Sequence, residues 1–390
     1  MFSLKKNNIL FVHPIKEFSG SLKSLEEYLK ILNSKFNFYF LVPYGPASER
    51  LKKYGKVINV IGLSKFDNSK LGYYRNLRWI LIFRELLLLF PTFLSIYKIK
   101  KKVNKIDIIH FNEITLIPTI YLFKIFFPVP FILHCRILFK KNNYFGKIIC
   151  RFLKKNINQI IAIDNDIKKS LPKNLNAKIV RNIFIRSKKE KFNRKILNNN
   201  CLNIGYVGSF LKYKGIEDLI YVFNKLRVKK YNIKLILAGN FIKKNFIFNI
   251  FNLSNNIDKN LIESEGITNM GHVNKLENFY EKIDILCFPS YLNALGRQVF
   301  EAAYFKIPSI VCLHNNFSDS FINNKTGLSF KNAGSTKDLE NIIKFFYFNR
   351  MQIKKMGTNA FRLVSKNYDS KKNYLILENI YFDAIKNFTE

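Results

Sequence analysis

Residues 284–303 read Asp284-Ile-Leu-Cys-Phe-Pro-Ser-Tyr-Leu-Asn-Ala-Leu-Gly-Arg-Gln-Val-Phe-Glu301-Ala-Ala303. The apolar run Ile283 to Phe288 predicts a buried strand, ended by Pro289 and Ser290. A loop then leads to Gly296, and Val299, Phe300, Ala302, Ala303 and Phe305 follow at helical spacing up to Pro308. Glycine at the mouth of a helix lets backbone N–H groups approach an anion, with the positive end of the helix dipole behind them. Glu301 falls about one turn further in, within reach of sugar hydroxyls. Phosphate at the tip and ribose one turn down is the layout that binds a nucleotide-sugar.

Outward from this stretch, short apolar runs alternate with helical patterns. Strands are expected at 9–12, 37–42, 57–61, 107–111, 130–134, 158–163 and near 178–183, with helices over 21–33, 77–100, 115–126 and 144–154. Residues 186–200 are basic, Asn-rich and without periodicity, and read as a linker. The pattern restarts with strands at 202–207, 232–238, 267–270, 284–288 and 308–312, and helices at 216–228, 275–280, 297–305, 336–348 and 351–366. Such alternation predicts an α/β chain of two doubly wound, Rossmann-like domains, 1–185 and 201–367. Residues 368–390 form a last helix, expected to cross back to the first domain. Ligands bind such sheets at the carboxyl ends of the strands.

Three segments in the second half carry a resemblance to glycosyltransferase family 4, retaining enzymes of the GT-B fold. The family's Pro-Ser…Glu…Glu-Ala pattern, with glutamates eight apart, appears with Asn293 in the first position and Glu301 in the second. Its Gly-Arg-x-x-x-x-Lys-Gly loop appears as Gly208-Ser209-Phe210-Leu211-Lys212-Tyr213-Lys214-Gly215, the lysine kept and the arginine replaced by Ser209. Its Gly-Gly-x-x-Glu loop appears as Asn315-Asn316-Phe317-Ser318-Asp319, followed by Lys325-Thr326-Gly327-Leu328. Ordered matches run from about 205 to 330.

The resemblance implies two domains facing a central cleft, the second binding a nucleotide-diphosphate-sugar and the first a glycan or lipid-linked acceptor in surface polysaccharide or lipopolysaccharide synthesis. It implies that Lys214 contacts the donor diphosphate, with Arg297 compensating for Ser209. The turns at Gly239-Asn240 and Gly271-His272-Val273 would line the nucleotide, although any strand-to-helix turn favours such residues. The amides around Leu295, Gly296 and Arg297 would stabilise the departing diphosphate, Glu301 would hold the ribose, and Asn293 would stand where a carboxylate normally touches the donor. On the first domain, Ser19, Gly20 and Ser21 match the loop that approaches the transferred sugar, though a helix cap explains Ser21 equally well. His134, preferred to His110, and Arg136 end the strand 130–134. No protein nucleophile is implied.

Asp164-Asn165-Asp166 imitates a metal-binding Asp-x-Asp but follows a strand and opens a helix, so Asp164 reads as an N-cap. No His, Cys or carboxylate cluster has metal spacing, and neither metal nor cofactor is expected. Five cysteines without paired spacing point to reduced thiols.

The net charge of +38 suggests a polyanion partner, yet lysine exceeds arginine, and Asn, Ile and Phe abound, as AT-rich coding would produce whatever the function. No nucleic-acid-binding signature accompanies the charge. The segment from Tyr73 to Arg84, with Arg75, Arg78 and Trp79, continues to Lys98 and Lys100–Lys102, and reads as an interfacial helix docking on an anionic membrane without spanning it. The protein is therefore expected in the cytoplasm, peripheral on the inner face of the membrane. Two other readings stay open: a degenerate homologue that binds nucleotide-sugar without turnover, and a basic polyanion-binding protein.

Overall fold

The computed structural model describes residues 6–69, 81–185, 200–241, 256–273, 275–292, 294–315 and 317–389. The expected linker at 186–199, Asn293 and Asn316, and Arg75, Arg78 and Trp79 of the interfacial segment lie outside the described residues. The chain divides into two compact units, Met1–Ile185 with Tyr368–Glu390, and Arg186–Asn367.

In the first unit the strands are β1 (Asn7–Val12), β2 (Phe36–Pro43), β3 (Lys56–Val60), β4 (Ile108–Phe111), β5 (Phe131–Cys135), β6 (Gln159–Ala162) and β7 (Lys178–Ile179). They form one parallel sheet in the order β3-β2-β1-β4-β5-β6-β7. The order reverses direction between β1 and β4, which is where a doubly wound sheet opens a binding crevice.

Helices cover both faces, because a parallel sheet is apolar on each. One face takes α1 (Gly20–Leu32), α2 (Pro46–Leu51) and the C-terminal helix Ser370–Thr389. The other takes α4 (Leu89–Lys102), α5 (Ile117–Phe126), α6 (Tyr144–Asn156) and α7 (Asn165–Ser170). A short α3 (Leu81–Leu87) precedes α4, so the expected helix 77–100 is broken at Leu88. Thr92 Oγ1 accepts from the Ser64 amide at 3.0 Å, and Glu85 Oε2 accepts from the Lys65 amide at 2.9 Å. These bonds fix each helical piece separately to the segment after β3.

The C-terminal helix closes the first unit's core. Leu377, Ile380 and Tyr381 are buried against Phe36 and Ile108, and the Tyr381 hydroxyl lies 2.8 Å from His110 Nδ1. The Arg181 amide donates to Asn373 Oδ1 at 3.0 Å.

The second unit repeats the plan. Strands β8 (Leu202–Val207), β9 (Ile233–Ala238), β10 (Ile267–Asn269), β11 (Ile285–Phe288), β12 (Ser309–Cys312) and β15 (Gly327–Phe330) lie parallel in the order β10-β9-β8-β11-β12-β15. Strands β13 (Phe317–Ser318) and β14 (Phe321–Ile322) form a small antiparallel pair. Helices α8 (Ile216–Val228), α9 (Glu277–Tyr280), α10 (Arg297–Tyr304), α11 (Thr336–Phe348) and α12 (Arg350–Asn367) accompany the sheet. The C-terminal helix is thus α13. The reversal point falls between β8 and β11.

Replacing Tyr381 with Phe keeps the ring and strands both nitrogens of a buried histidine. Tyr381→Phe is expected to lower unfolding stability by about 1–3 kcal/mol, the cost of an unsatisfied buried polar group. Urea titration followed by circular dichroism checks it, and an unchanged midpoint removes the role given to this bond.

Candidate functional site

At the reversal point of the second unit the loops after β8, β9 and β10 are tied edge to edge. The Gly208 amide donates to Ala238 O at 2.9 Å, Phe210 to Asn240 O at 3.1 Å, and Gly239 to Gly271 O at 2.7 Å. Gly239 adopts φ +152°, and a Cβ there would sit 1.8 Å from Gly208 O, so no side chain fits. The loop after β11 is bound to the loop after β8 through Tyr291 N to Tyr213 O at 3.0 Å. Gly215, at φ +72°, passes so close to Pro289 that a Cβ would approach its carbonyl to 2.1 Å.

This packing puts Lys214 at the end of β11. Its Nζ lies 5.4 Å from the Tyr213 ring centre and 5.8 Å from that of Phe288. Burial lowers its pKa, and among the described residues no carboxylate pairs with it. A cation held by ring faces alone, without an opposite charge, is a ready-made seat for an anion. Ser290 Oγ, buried two residues past the end of β11, also has no hydrogen-bond partner among the described residues.

Gly296 is the N-cap of α10, in extended conformation and with no side-chain cap of its own. The Arg297 side chain folds back along the helix: Nη2 is 3.0 Å and Nε 3.1 Å from Glu301 Oε1. The Tyr280 hydroxyl donates to Glu301 Oε2 at 3.3 Å. Glu301 is therefore buried and engaged, where an open carboxylate was expected. Ser209, Asn240, His272, Val273 and Leu295 lie on the same set of loops at the carboxyl ends of β8 to β11, with Asn240 and His272 exposed.

The first unit gathers a second polar cluster, beside its own reversal point. His13 follows β1, His110 is in β4, and His134 is in β5; all three are buried. Asn112 links His13 to Arg136: its Nδ2 is 2.9 Å from His13 Nδ1, and its Oδ1 accepts from Arg136 Nη2 at 2.9 Å and Nε at 3.0 Å. Arg136 also donates to Asn182 Oδ1 at 3.2 Å and meets His134 Nδ1 at 3.3 Å. Burial, reinforced by the Arg136 charge, holds His13 and His110 down to about 3 and His134 well below its ordinary value. Burial pushes Glu113, at the end of β4, up to about 7 against the pull of Arg136.

His134 thus supports Arg136 from inside and is buried within the first unit. Ser19, not Ser21, caps α1 by accepting from the Leu22 amide at 3.2 Å, and the two hydroxyls sit 2.9 Å apart. Gly20 opens the helix. Asp164 caps α7, accepting from Ile167 N at 2.7 Å. Among the described residues no three His, Cys, Asp or Glu side chains converge to hold a metal ion.

The sequence reading missed His13, Asn112, Glu113, Asn182 and Tyr280. The signal for the first three was present: a polar residue directly after an apolar strand, on the two strands flanking the reversal point.

Comparison with known proteins places both units. Residues 187–363 match the family model described as "Glycosyl transferases group 1". The chain is 26% identical over 204 residues to the capsular polysaccharide biosynthesis glycosyltransferase CapM of Staphylococcus aureus, covering 51% of this chain and 50% of CapM. The match thus spans about half of that relative's length. Among solved structures, Anabaena Alr3699/HepE with UDP-glucose superposes with a TM-score of 0.69 at 15% identity, over 96% of this chain and 99% of that one. Sucrose-phosphate synthase from Thermosynechococcus elongatus gives 0.70 at 13% over 98% and 100%, and S. aureus TarM 0.64 at 12% over 96% and 100%. The fold is GT-B: two Rossmann-like domains built on parallel sheets.

The histidine cluster sets an acid limit. Unfolded histidines take up protons below about 6.5, while the folded cluster stays neutral to about 3. Their stabilising contribution is therefore present above 6.5 and lost as pH falls. Glu113, with its folded pKa raised, opposes them by one proton between its ordinary 4.5 and about 7. The net is about two protons, so unfolding stability should fall by roughly 2–3 kcal/mol per unit between pH 6 and 5. Urea midpoints across that range measure the slope, and a flat profile contradicts it.

Proposed function

We propose that the chain is a retaining, hexosyl-type glycosyltransferase that moves a sugar from a nucleotide-diphosphate-sugar to a glycan or lipid-linked acceptor in surface polysaccharide synthesis. The observation that carries this reading is Lys214: a desolvated cation, without a carboxylate partner among the described residues, at the reversal point of the second sheet. A nucleoside diphosphate supplies the missing counter-charge. The similarity of residues 187–363 to group 1 glycosyl transferases supports it, as does the match to a capsular polysaccharide enzyme. The solved structures similar in fold include one bound to UDP-glucose.

In this mechanism the bond between the anomeric carbon and the donor phosphate breaks as the acceptor oxygen attacks from the same face. The acceptor proton passes to the departing phosphate, and no protein side chain forms a covalent intermediate. Lys214 and the amides of Leu295, Gly296 and Arg297 stabilise the charge that develops on the leaving diphosphate, with the dipole of α10 behind them. Glu301 takes the ribose hydroxyls once Arg297 swings from it, which frees the guanidinium for the diphosphate in place of the arginine replaced by Ser209. The turns at Asn240 and at His272-Val273 line the nucleotide. On the acceptor side, Arg136 faces the incoming group, supported by His134, with Ser19, Gly20 and Ser21 at the start of α1. Asn293 contacts the donor sugar or its phosphate.

A thermal-shift series with UDP, GDP, ADP and CMP identifies the base. Lys214→Met should weaken binding of the preferred diphosphate by about 1.5–3 kcal/mol, the range for a charge-assisted bond. The unliganded variant should melt no lower than the wild type, since a buried uncompensated charge is gone. Unchanged affinity would remove Lys214 from the site. Donor hydrolysis without acceptor separates an active enzyme from one that only binds.

The reaction is proposed to need no divalent metal, because Lys214 and the helix tip carry the diphosphate charge. Turnover should persist in EDTA; loss on chelation with recovery in magnesium or manganese refutes this.

A further inference from the structure

The helices α3 and α4 are amphipathic the wrong way round. On α4 the residues facing the sheet are Thr92, Ser95, Ile96 and Ile99, with Thr92 and Ser95 fully buried at 0% exposure. The large apolar residues point outward: Phe90 is 67% and Tyr97 68% exposed. Phe83 and Leu87 on α3, and Leu94 on α4, are exposed too. Positions 83 and 87 on α3, and 90, 94 and 97 on α4, each follow the three-and-four spacing that places residues on one stripe of a helix. A soluble surface helix has the opposite arrangement.

The stripe is part of a wider layer. Helices α4, α5 and α6 pack on the same sheet face, and rings join neighbours: Phe93 with Phe126 at 5.6 Å, Tyr121 with Phe152 at 6.2 Å. Tyr121, Ile125, Tyr144 and Ile148 add exposed apolar surface on α5 and α6. On the opposite sheet face, α1 and α2 expose no large hydrophobic side chain.

Charge completes the pattern. The only acid in α3, α4, α5 and α6 is Glu85, which is buried and paired with Arg84. Lys98, Lys100, Lys101, Lys102, Lys147 and Lys154 are exposed on the same helices. No helix among the described residues is long and apolar enough to cross a membrane.

We propose that this layer is a docking surface for an anionic lipid bilayer, with Phe83, Leu87, Phe90 and Tyr97 inserted at the headgroup boundary and Lys100–Lys102 against acidic headgroups. Apolar burial and attraction to anionic lipid act together on such a face. A second copy of the chain is the weaker occupant. A two-fold interface would set lysines against lysines, with no exposed acid on these helices to pair them. A polyanion such as RNA leaves the aliphatic stripe unused. The inference stands apart from the transfer reaction, and its readout does not involve donor.

The test is co-sedimentation of the full chain with vesicles of phosphatidylcholine alone and of phosphatidylcholine mixed with phosphatidylglycerol, in rising salt. The wild type should bind only the mixed vesicles and be released by salt. Lys100→Gln, Lys101→Gln and Lys102→Gln combined should weaken binding on the order of a hundredfold, each lysine near the surface being worth about fivefold. Phe83→Asn, Phe90→Asn and Tyr97→Asn combined should abolish it while leaving melting and nucleotide shifts unchanged. A charge-matched control, Lys354→Gln, Lys355→Gln and Lys366→Gln in the second unit, should bind as wild type. The proposal is overturned if the control loses binding equally, if the aromatic variant binds normally, or if vesicles are ignored and the aromatic variant instead dissociates a dimer in light scattering.

Discussion

A sheet whose strands all run one way is apolar on both faces, and each face must be covered before it is stable in water. That constraint organises the chain. In the first unit the helices between the strands cover one face fully and leave the other short. The deficit is met by the last helix, α13, whose Leu377, Ile380 and Tyr381 complete the core under β1, β2 and β4. His110 and Tyr381 touch across 271 positions of sequence. The second unit is thus an insertion into the first, and the first has no finished core until Ser370–Thr389 is in place. Closing so long a loop costs only logarithmically more than closing a short one, so the arrangement is affordable in stability and slow in folding.

The two reversal points treat buried charge in opposite ways. In the first unit Arg136 is surrounded by neutral acceptors, the carbonyls of Asn112 and Asn182, and by histidines whose protonation it suppresses. The cluster is internally satisfied on its Asn112 and Nδ1 sides. In the second unit Lys214 has only ring faces among the described residues. A desolvated ammonium without a partner costs stability, and among the described residues nothing in the fold recovers it. Arg297, four residues before Glu301, shows the alternative that the same site uses for its other cation: a buried ion pair at helical spacing. Among the described residues one cation is ion-paired and the other is not.

The strands were legible because burial on both faces writes continuous apolar runs, and glycine and proline mark their ends. The alternation of runs with helical patterns then gives two doubly wound sheets. Two-residue strands such as β13 and β14 carry too few residues for any periodicity to show. The break at Leu88 was hidden for a different reason: α3 and α4 carry apolar residues on both sides, so the pattern reads as one long helix. At the site, Gly296 was legible from spacing, and Lys214 was singled out by the resemblance. The engagement of Glu301 was also written, since arginine and glutamate four apart share a face, but Tyr280 reaches it only through the fold. The enclosure of His134 was not legible, because whether a strand-end histidine faces water depends on Arg136, Asn182 and the loops above it.

Composition and placement carry different information about the charge of this chain. A coding bias toward lysine and asparagine scatters both over the surface without regard to structure. It has no means of removing acids from three adjacent helices while leaving them on α1, where Glu26 and Glu27 are buried, or on α11, where Glu340 gathers Lys225, Lys229 and Lys344. Nor does it turn threonine and serine inward and phenylalanine and tyrosine outward along α4. Sinking a hydroxyl into a sheet while a ring stays in water opposes the hydrophobic effect twice. The hydroxyls are compensated by Leu88 O, Thr92 O and the Ser64 amide, which bond Thr92 and Ser95 locally. The outward rings have no compensation in water. An apolar boundary beside negative charge supplies both what the rings and what the lysines lack, and it does so over one continuous face.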